Sequence, residues 1–459
     1  MGFFSSPAFQ FLNGNGYTSL LWPQVGSDKR FLAYLPLQSA SHIVSQSILP
    51  FDIYWVRVPS VLYLISGAAF LFLTLKNKGL SLFIAIALVI LILNEKSLFE
   101  TTRATRIEPI IFFFLSGFFY SVSRHKYHIA AVLISILLFS HPNVWPLCLV
   151  LFLGICLKFT NHNFSILNIL KPNVLWLYPI IGILLFLVST GFEWNSFVDQ
   201  FLHQGSDHSA SGGILSRFQS HFVSRFWPYY KTQPWISALV YAALGYSIYS
   251  LVKRKAKASH IAIITTHLVW LVFLGPFYRY NSILVLLSVF CLADYLMAKG
   301  FTIHKWKWQV AVFILVLFSS ADVAVRHTMA IVQHSERDPY PVIEWLDNNL
   351  PKDEKFIITG SDICYYATAD KKNAAYFMYN MPPYKHDFKA FDHHFIVSSR
   401  LVNTGEHISS YQVKKSELSK KFNSKTYSTL HLYLIEKASD YEKIVIQMDD
   451  ESRKEVQSR

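Results

Sequence analysis

Residues 101–109 read TTRATRIEP, and they lie between two apolar stretches, SLFIAIALVILIL at 81–93 and IIFFFLSGFFY at 110–120. Arg103, Arg106 and Glu108 therefore stand where two hydrocarbon-like segments meet. A charged side chain at the centre of a bilayer costs about 2.5–3.5 kcal/mol on the insertion scale, and far less at its surface. The stretch reads as a short polar turn at a membrane face. This decides the fold class: a polytopic α-helical membrane protein with a small C-terminal α/β domain.

Composition points the same way. Of 459 residues, 52% are hydrophobic and 16% aromatic, too apolar for an ordinary soluble chain and too polar for membrane spans alone. On a soluble protein the formal charge of +13 would suggest nucleic acid. Membrane proteins collect Lys and Arg on their cytoplasmic loops, so no nucleic-acid partner is expected here. Cys148, Cys156 and Cys291 lie in apolar runs and Cys364 stands apart, which gives no disulfide framework. No zinc-ligand spacing occurs. The sequence requires no cofactor and leaves a divalent metal open.

About ten apolar runs approach membrane length, from 58–75 to 308–325. Several are nearer 14 residues than 20 and need their flanks in order to span. Re-entrant helices are the alternative for the pair around His141. Alternate loops divide the basic residues unevenly. One set holds thirteen: Lys76 and Lys78; Arg124 and Lys126; Lys158 and Lys171; Lys253, Arg254, Lys255 and Lys257; Lys299, Lys305 and Lys307. The other holds seven, although its loops include the longest: Lys96, Arg103 and Arg106; Arg217, Arg225 and Lys231; Arg279. The positive-inside rule makes the first set cytoplasmic and places TTRATRIEP, His141, loop 192–235 and FYRYN at 277–281 outside.

Three regions are expected. Residues 1–57 form an extracytoplasmic segment with amphipathic helices, and residues 58–325 a transmembrane domain with the outer loop 192–235. Residues 326–459 form an extracytoplasmic α/β domain, in which SERDPYPVIEWLDNNL reads as a helix and FIITG, AAYFMY, HHFIVSS and STLHLYLIEK as strands. Asp392, His393 and His394 are adjacent on a strand, so at most two of them converge, and polar surface is the preferred reading.

Arg103 and Arg106 admit two readings. They snorkel to headgroups with Glu108 as a local partner, or they form an anion site. The guanidinium fork matches phosphate oxygens and a carboxylate can hold it in place. At an outward membrane face the anion would be the phosphate of a lipid. Loop 192–235 has a Gly/Ser centre, GSDHSASGG, between FVDQFLHQ and ILSRFQSHFVSRFW, as a lid would. It carries Arg225, with His203 and Tyr229 as pocket or lid candidates. Arg279 between Tyr278 and Tyr280 adds a further cation, and the His141-Pro142 turn a further polar group.

Four stretches together resemble the GT-C glycosyltransferases that use polyprenyl-phosphate sugars, in particular the bacterial aminoarabinose and mannosyl transferases. They are FLNGNGYTSLLWP at 11–23, TTRATRIEP with the span after it, LLFSHPNVWPL at 137–147, and DPYPVIEWLDNNLPKDEKFIITG at 338–360. The resemblance implies transfer of a sugar from a polyprenyl-phosphate donor to a lipid, glycan or protein acceptor on the outer face of the plasma membrane. It implies a donor-phosphate site at Arg103, Arg106, Glu108, Arg225 and Arg279. It also implies a catalytic acid after a first helix, upstream of the Gly-Tyr-Thr segment. This sequence has no acidic residue before Asp28. Asp28 and Asp52 are the acids available in the segment, and neither stands at the matching position. The resemblance thus implies an upstream helix and acid in the authentic form, or a relative that lost the acid. A lipid-linked glycan flippase or polymerase and a non-catalytic scaffold are the alternatives.

Overall fold

The structure is a computed structural model that describes residues 2–19, 30–32, 35–159, 173–189, 191, 193–200, 213–273, 278–298, 306–333, 336, 338–350, 352, 354, 356–359, 362–369, 374–377, 395–398, 405–412 and 430–434. The chain divides into two compact units. One comprises Met1–Phe31, Gln46–Val56 and Arg326–Arg459, the other Leu32–Ser45 and Arg57–Val325.

The second unit is helical. It holds α2 (Pro36–Gln46, but for its last residue), α3 (Val58–Asn77), α4 (Leu82–Leu93), α5 (Lys96–Arg103), α6 (Glu108–Ser123), α7 (Tyr127–Leu137), α8 (Trp145–Phe159), α9 (Leu177–Ser189), α10 (Ile214–Phe218), α11 (Trp227–Thr232), α12 (Pro234–Val252), α13 (Ala258–Phe273) and α14 (Asn281–Ala298). Its last helix, α15 (Trp306–Val332), continues past the unit boundary. Four segments are long and apolar enough to cross a membrane: Trp55–Asn77, Pro142–Phe159, Pro234–Val252 and Asn281–Ala298. Leu82–Leu93 and Lys96–Arg103 would make a fifth, bent by 57°. Glu108–Ser123, Tyr127–Leu137, Val174–Val188 and Ala258–Phe273 are shorter apolar helices. The ten apolar runs of the sequence thus include helices too short to span unaided, as their lengths near 14 residues foretold.

Local chemistry sets the helix ends. The Ser81 hydroxyl caps α4 by accepting the Ile84 amide, and Pro59 and Pro109 occupy the first turns of α3 and α6, where no donor is lost. Helices α3 and α6 meet at Gly67, where an added Cβ would lie 2.6 Å from Phe112 Cδ1. Helix α14 is enclosed, with every residue from Asn281 to Cys291 buried.

The loops of this unit gather into two groups. Lys78 and Lys257 both donate to Asp294 Oδ1, at 2.6 and 2.8 Å, and Asn77 donates to Ser123 Oγ. These residues follow α3, α6 and α12 or end α14. The turns after α5, α7, α10 and α13 meet one another instead, as described below. The two groups of loops therefore converge separately, as alternate loops of a chain threading back and forth would.

The first unit carries a five-stranded sheet in the order β2-β1-β3-β5-β4: β1 (Phe356–Thr359), β2 (Ala374–Phe377), β3 (Phe395–Ser398), β4 (Glu406–Tyr411) and β5 (Leu430–Leu434). Strands β1, β2 and β3 are parallel, and β5 runs antiparallel to β3 and β4. Helices α16 (Tyr340–Asn349) and α17 (Asp362–Thr368) accompany it. Strand β4, EHISSY, escaped the sequence reading because its hydropathy pattern is weak. Helix α1 (Gly2–Leu12) joins this unit through a hydrogen bond of 3.0 Å between Ser5 Oγ and Tyr366 Oη, and Phe51 packs on Phe9, Tyr365 and Tyr366. Asp392, His393 and His394 lie outside the described residues.

Candidate functional site

The turn between α5 and α6 is built around Arg106. Helix α5 ends in a Schellman motif: Thr105 N–H donates to the Thr102 carbonyl and Arg106 N–H to that of Thr101. Thr105 takes the left-handed position with φ +52°. Just beyond the turn, Glu108 is buried and receives the Arg106 Nε–H, with its oxygens at 3.1 and 3.3 Å. The Arg106 side chain keeps 17% exposure, so its outer face remains available. Arg103, at the end of α5, is exposed and its guanidinium lies over the Phe99 ring at 5.7 Å.

The turns after α7 and α13 reach the same place. The His141 imidazole caps its own turn, with Nδ1 accepting the Asn143 amide at 3.2 Å. That assigns the ring proton to Nε2, which donates to Tyr280 Oη at 3.1 Å. Tyr280 is buried, and burial pushes its phenol up to about 12, with Arg106 opposing the shift, Glu108 adding to it and Arg279 opposing it. Arg279 is exposed beside it. The Trp270 indole N–H donates to the Asn143 carbonyl at 3.1 Å, and the Arg225 guanidinium stacks 4.9 Å from the Trp270 ring centroid. Arg225 is fully buried, and burial draws its pKa down to about 9, with Tyr280 opposing. Asn281 Nδ2 donates to the Arg225 carbonyl.

The structure therefore brings together Arg106, Glu108, His141, Arg225, Arg279 and Tyr280 from four separate turns. Three cations surround one buried phenol, while Glu108 neutralises one of them. The net positive charge of such a cluster is chemically suited to an anion. Arg106 and Arg279 keep exposed surface there, and buried Arg225 adds charge.

Other expected residues are placed differently. Tyr229, expected in a pocket or lid, is wholly buried and its hydroxyl donates to Glu95. Glu95 also receives the amides of Ser97 and Leu98 and the Ser97 hydroxyl, so it is the N-cap of α5. Ser97 Oγ in turn accepts the Ser282 amide, and Gln233 bridges the Lys96 amide to the Asn94 carbonyl. This network fastens the arginine turn to α11, α12 and α14. Asp52 Oδ1 accepts the Tyr54 amide at 2.6 Å in a turn of the other unit. Asp28, His203 and the side chain of Tyr278 lie outside the described residues, as does most of GSDHSASGG.

Sequence reasoning missed Glu95, Trp270 and a buried imidazole pair. His221 Nε2 and His267 Nδ1 stand 2.8 Å apart, and a π-helical turn over Gln219–Ser224 carries His221. Burial, Arg225 and His267 all push His221 down. An acid directly after an apolar run was the signal for Glu95. Trp270 and His267 gave none, since isolated polar-edged rings are common in apolar helices. Among the described residues, no group of three or more His, Cys, Asp or Glu could hold a metal ion.

No family model matches this chain, and no curated protein does. The fold is nonetheless shared with a solved structure. It is similar to the structure of ArnT from Cupriavidus metallidurans in the apo state, with a TM-score of 0.56 over 96% of this chain and 93% of that one, at 9% identity. At that identity the likeness concerns the fold.

Proposed function

We propose that this chain is an integral membrane glycosyltransferase that takes a sugar from a polyprenyl-phosphate donor at the outer membrane face. Lipid, glycan or protein hydroxyls are the acceptor class. The acceptor oxygen attacks the anomeric carbon, the bond from that carbon to the phosphate oxygen breaks, and the polyprenyl phosphate leaves with the electron pair. Fixed positive charge where that pair arrives lowers the barrier. The Arg106 guanidinium, held by buried Glu108 beside Tyr280, is the observation that carries this reading. The likeness of fold to ArnT supports it.

The acceptor proton needs a base. Glu95 is saturated with donors, both His141 nitrogens are engaged, and Glu108 is committed to Arg106. Those commitments favour one second reading, a protein that binds the lipid phosphate without transferring from it. Binding of geranyl phosphate to the purified chain in detergent, and transfer from a radiolabelled polyprenyl-phosphate sugar, separate the two. Arg106→Ala is expected to weaken binding by about 1.5–3 kcal/mol, the worth of a charge-assisted contact. Lys at 106 restores little, since one ammonium cannot reproduce the fork. Wild-type affinity in Arg106→Ala removes the phosphate reading.

A further inference from the structure

Thr105 is an outlier that its own sequence does not explain. A β-branched residue in the left-handed region is strained, and the C′ position of a Schellman motif ordinarily takes Gly or Asn. Among the described residues, only Thr105, His125 and Arg254 are non-glycine residues with positive φ. The Thr105 hydroxyl is buried without a hydrogen-bond partner, so the side chain gains nothing there in compensation. Strain of this kind persists where neighbours over-determine the backbone.

Those neighbours are on α2. The buried Gln38 side-chain amide donates to the Thr105 carbonyl, and His42, one turn later on the same face, lies against that carbonyl as well. The next residue is Arg106. The conformation of Thr105 sets the direction in which the chain leaves α5, and hence where the guanidinium meets Glu108 and Tyr280.

We propose that Gln38, backed by His42, is a positioning residue for Arg106: it clamps Thr105 in the left-handed conformation and so aims the guanidinium of the anion site. This rests on the phosphate reading of Arg106 and adds α2, a helix outside the cluster, to the machinery.

Glycine distinguishes positioning from plain stabilisation, because it adopts positive φ without strain. Gln38→Met keeps length and apolar bulk and removes the donor. We expect it to weaken binding of geranyl phosphate about tenfold, the weight of one modest hydrogen-bonded constraint. Gln38→Met combined with Thr105→Gly should recover most of that affinity. The recovered variant should still melt below wild type, since the buried carbonyl has lost the Gln38 donor and keeps only His42. Hydrogen exchange of the peptide covering 101–107 reads the turn without any ligand: faster in Gln38→Met, restored in the double variant. Unchanged affinity in Gln38→Met, or a loss that glycine does not repair, overturns the proposal. Failure of the wild type to bind geranyl phosphate sinks the phosphate reading and the aiming with it, while the exchange result alone then decides whether the clamp exists.

Discussion

Tyr280 and His141, 139 residues apart in sequence, share a hydrogen bond of 3.1 Å that joins the turn before α14 to the turn before α8. The direction of that bond follows from the second nitrogen, which accepts the Asn143 amide. Tyr280 Oη therefore accepts the His141 Nε2–H hydrogen bond and keeps its own O–H to donate. Tyr280→Phe removes the acceptor of the half-buried His141 Nε2–H, a loss of about 0.5–1.5 kcal/mol of stability. It also removes the Tyr280 hydroxyl as a donor among the cations of the cluster. Thermal melting in detergent should fall, and geranyl phosphate should bind more weakly than to wild type. Equal affinity in Tyr280→Phe would place the phenol outside the anion site.

Glu108 and Arg106 should behave as a unit. The carboxylate has no role toward an anionic ligand other than to fix the guanidinium, and its charge opposes the ligand. Glu108→Gln keeps the shape, gives up the charge and loosens the fork. In a double-mutant cycle with Arg106→Ala the losses of affinity should be strongly non-additive, with a coupling of about 0.5–3 kcal/mol. If Glu108→Gln weakens binding as much in the absence of Arg106 as in its presence, Glu108 acts on the ligand by itself.

The sequence shows the ends of this architecture more clearly than its middle. Apolar runs, proline first turns and the alternation of basic loops are local signals, so the helices and the two groups of loops could be anticipated from them. The C-terminal strands FIIT, AAYF, FIVS and LHLYL were legible for the same reason, whereas EHISSY was not. The candidate cluster was legible only as separate charges: Arg106, Arg225, Arg279 and Tyr280 each stood at a span end. Their convergence depends on Trp270, Asn143 and Glu95, whose roles arise from tertiary contacts with no sequence spacing. Arg225 shows the limit most plainly. Its position in a loop suggested an exposed, closing cation, yet its aromatic neighbours bury it on Trp270.

His42 predicts a pH dependence of stability. Burial holds its pKa down to about 4 against an ordinary 6.5, with the Thr105 carbonyl opposing. Between these values the unfolded chain binds a proton that the folded chain refuses, so folding is favoured at higher pH and loses ground as pH falls from 6.5 toward 4. The contribution of this one group is at most about 3 kcal/mol. Melting temperatures of wild type and His42→Gln, measured from pH 7.5 to pH 4.5, should differ in slope, with wild type falling more steeply below pH 6.5. Parallel curves would assign the acid sensitivity to other groups.

Asp294 offers a test of orientation. Lys78 and Lys257 come from loops that the charge bias places in the cytoplasm, and both bind one buried oxygen of this carboxylate. Ser259 Oγ donates to the other oxygen. Since residues in contact share a side of the bilayer, Asn77, Lys78, Ser123 and Lys257 must face the same compartment. The contacts of Ser5 with Tyr366 and of Phe51 with Tyr365 likewise put the N-terminal segment and the C-terminal sheet on one side. The expectation from the positive-inside rule is a cytoplasmic first group and an extracytoplasmic second. A reporter active only outside the cytoplasm should therefore work when fused after Gln333 and stay silent when fused at Lys255. Asp294→Asn should destabilise the protein by about 1–3 kcal/mol, since it leaves two lysines facing each other across a lost carboxylate. It should do so without moving the affinity of the Arg106 cluster, whose turns belong to the other group. A reporter silent after Gln333 and active at Lys255 would invert the molecule and remove the anion site from the outer face.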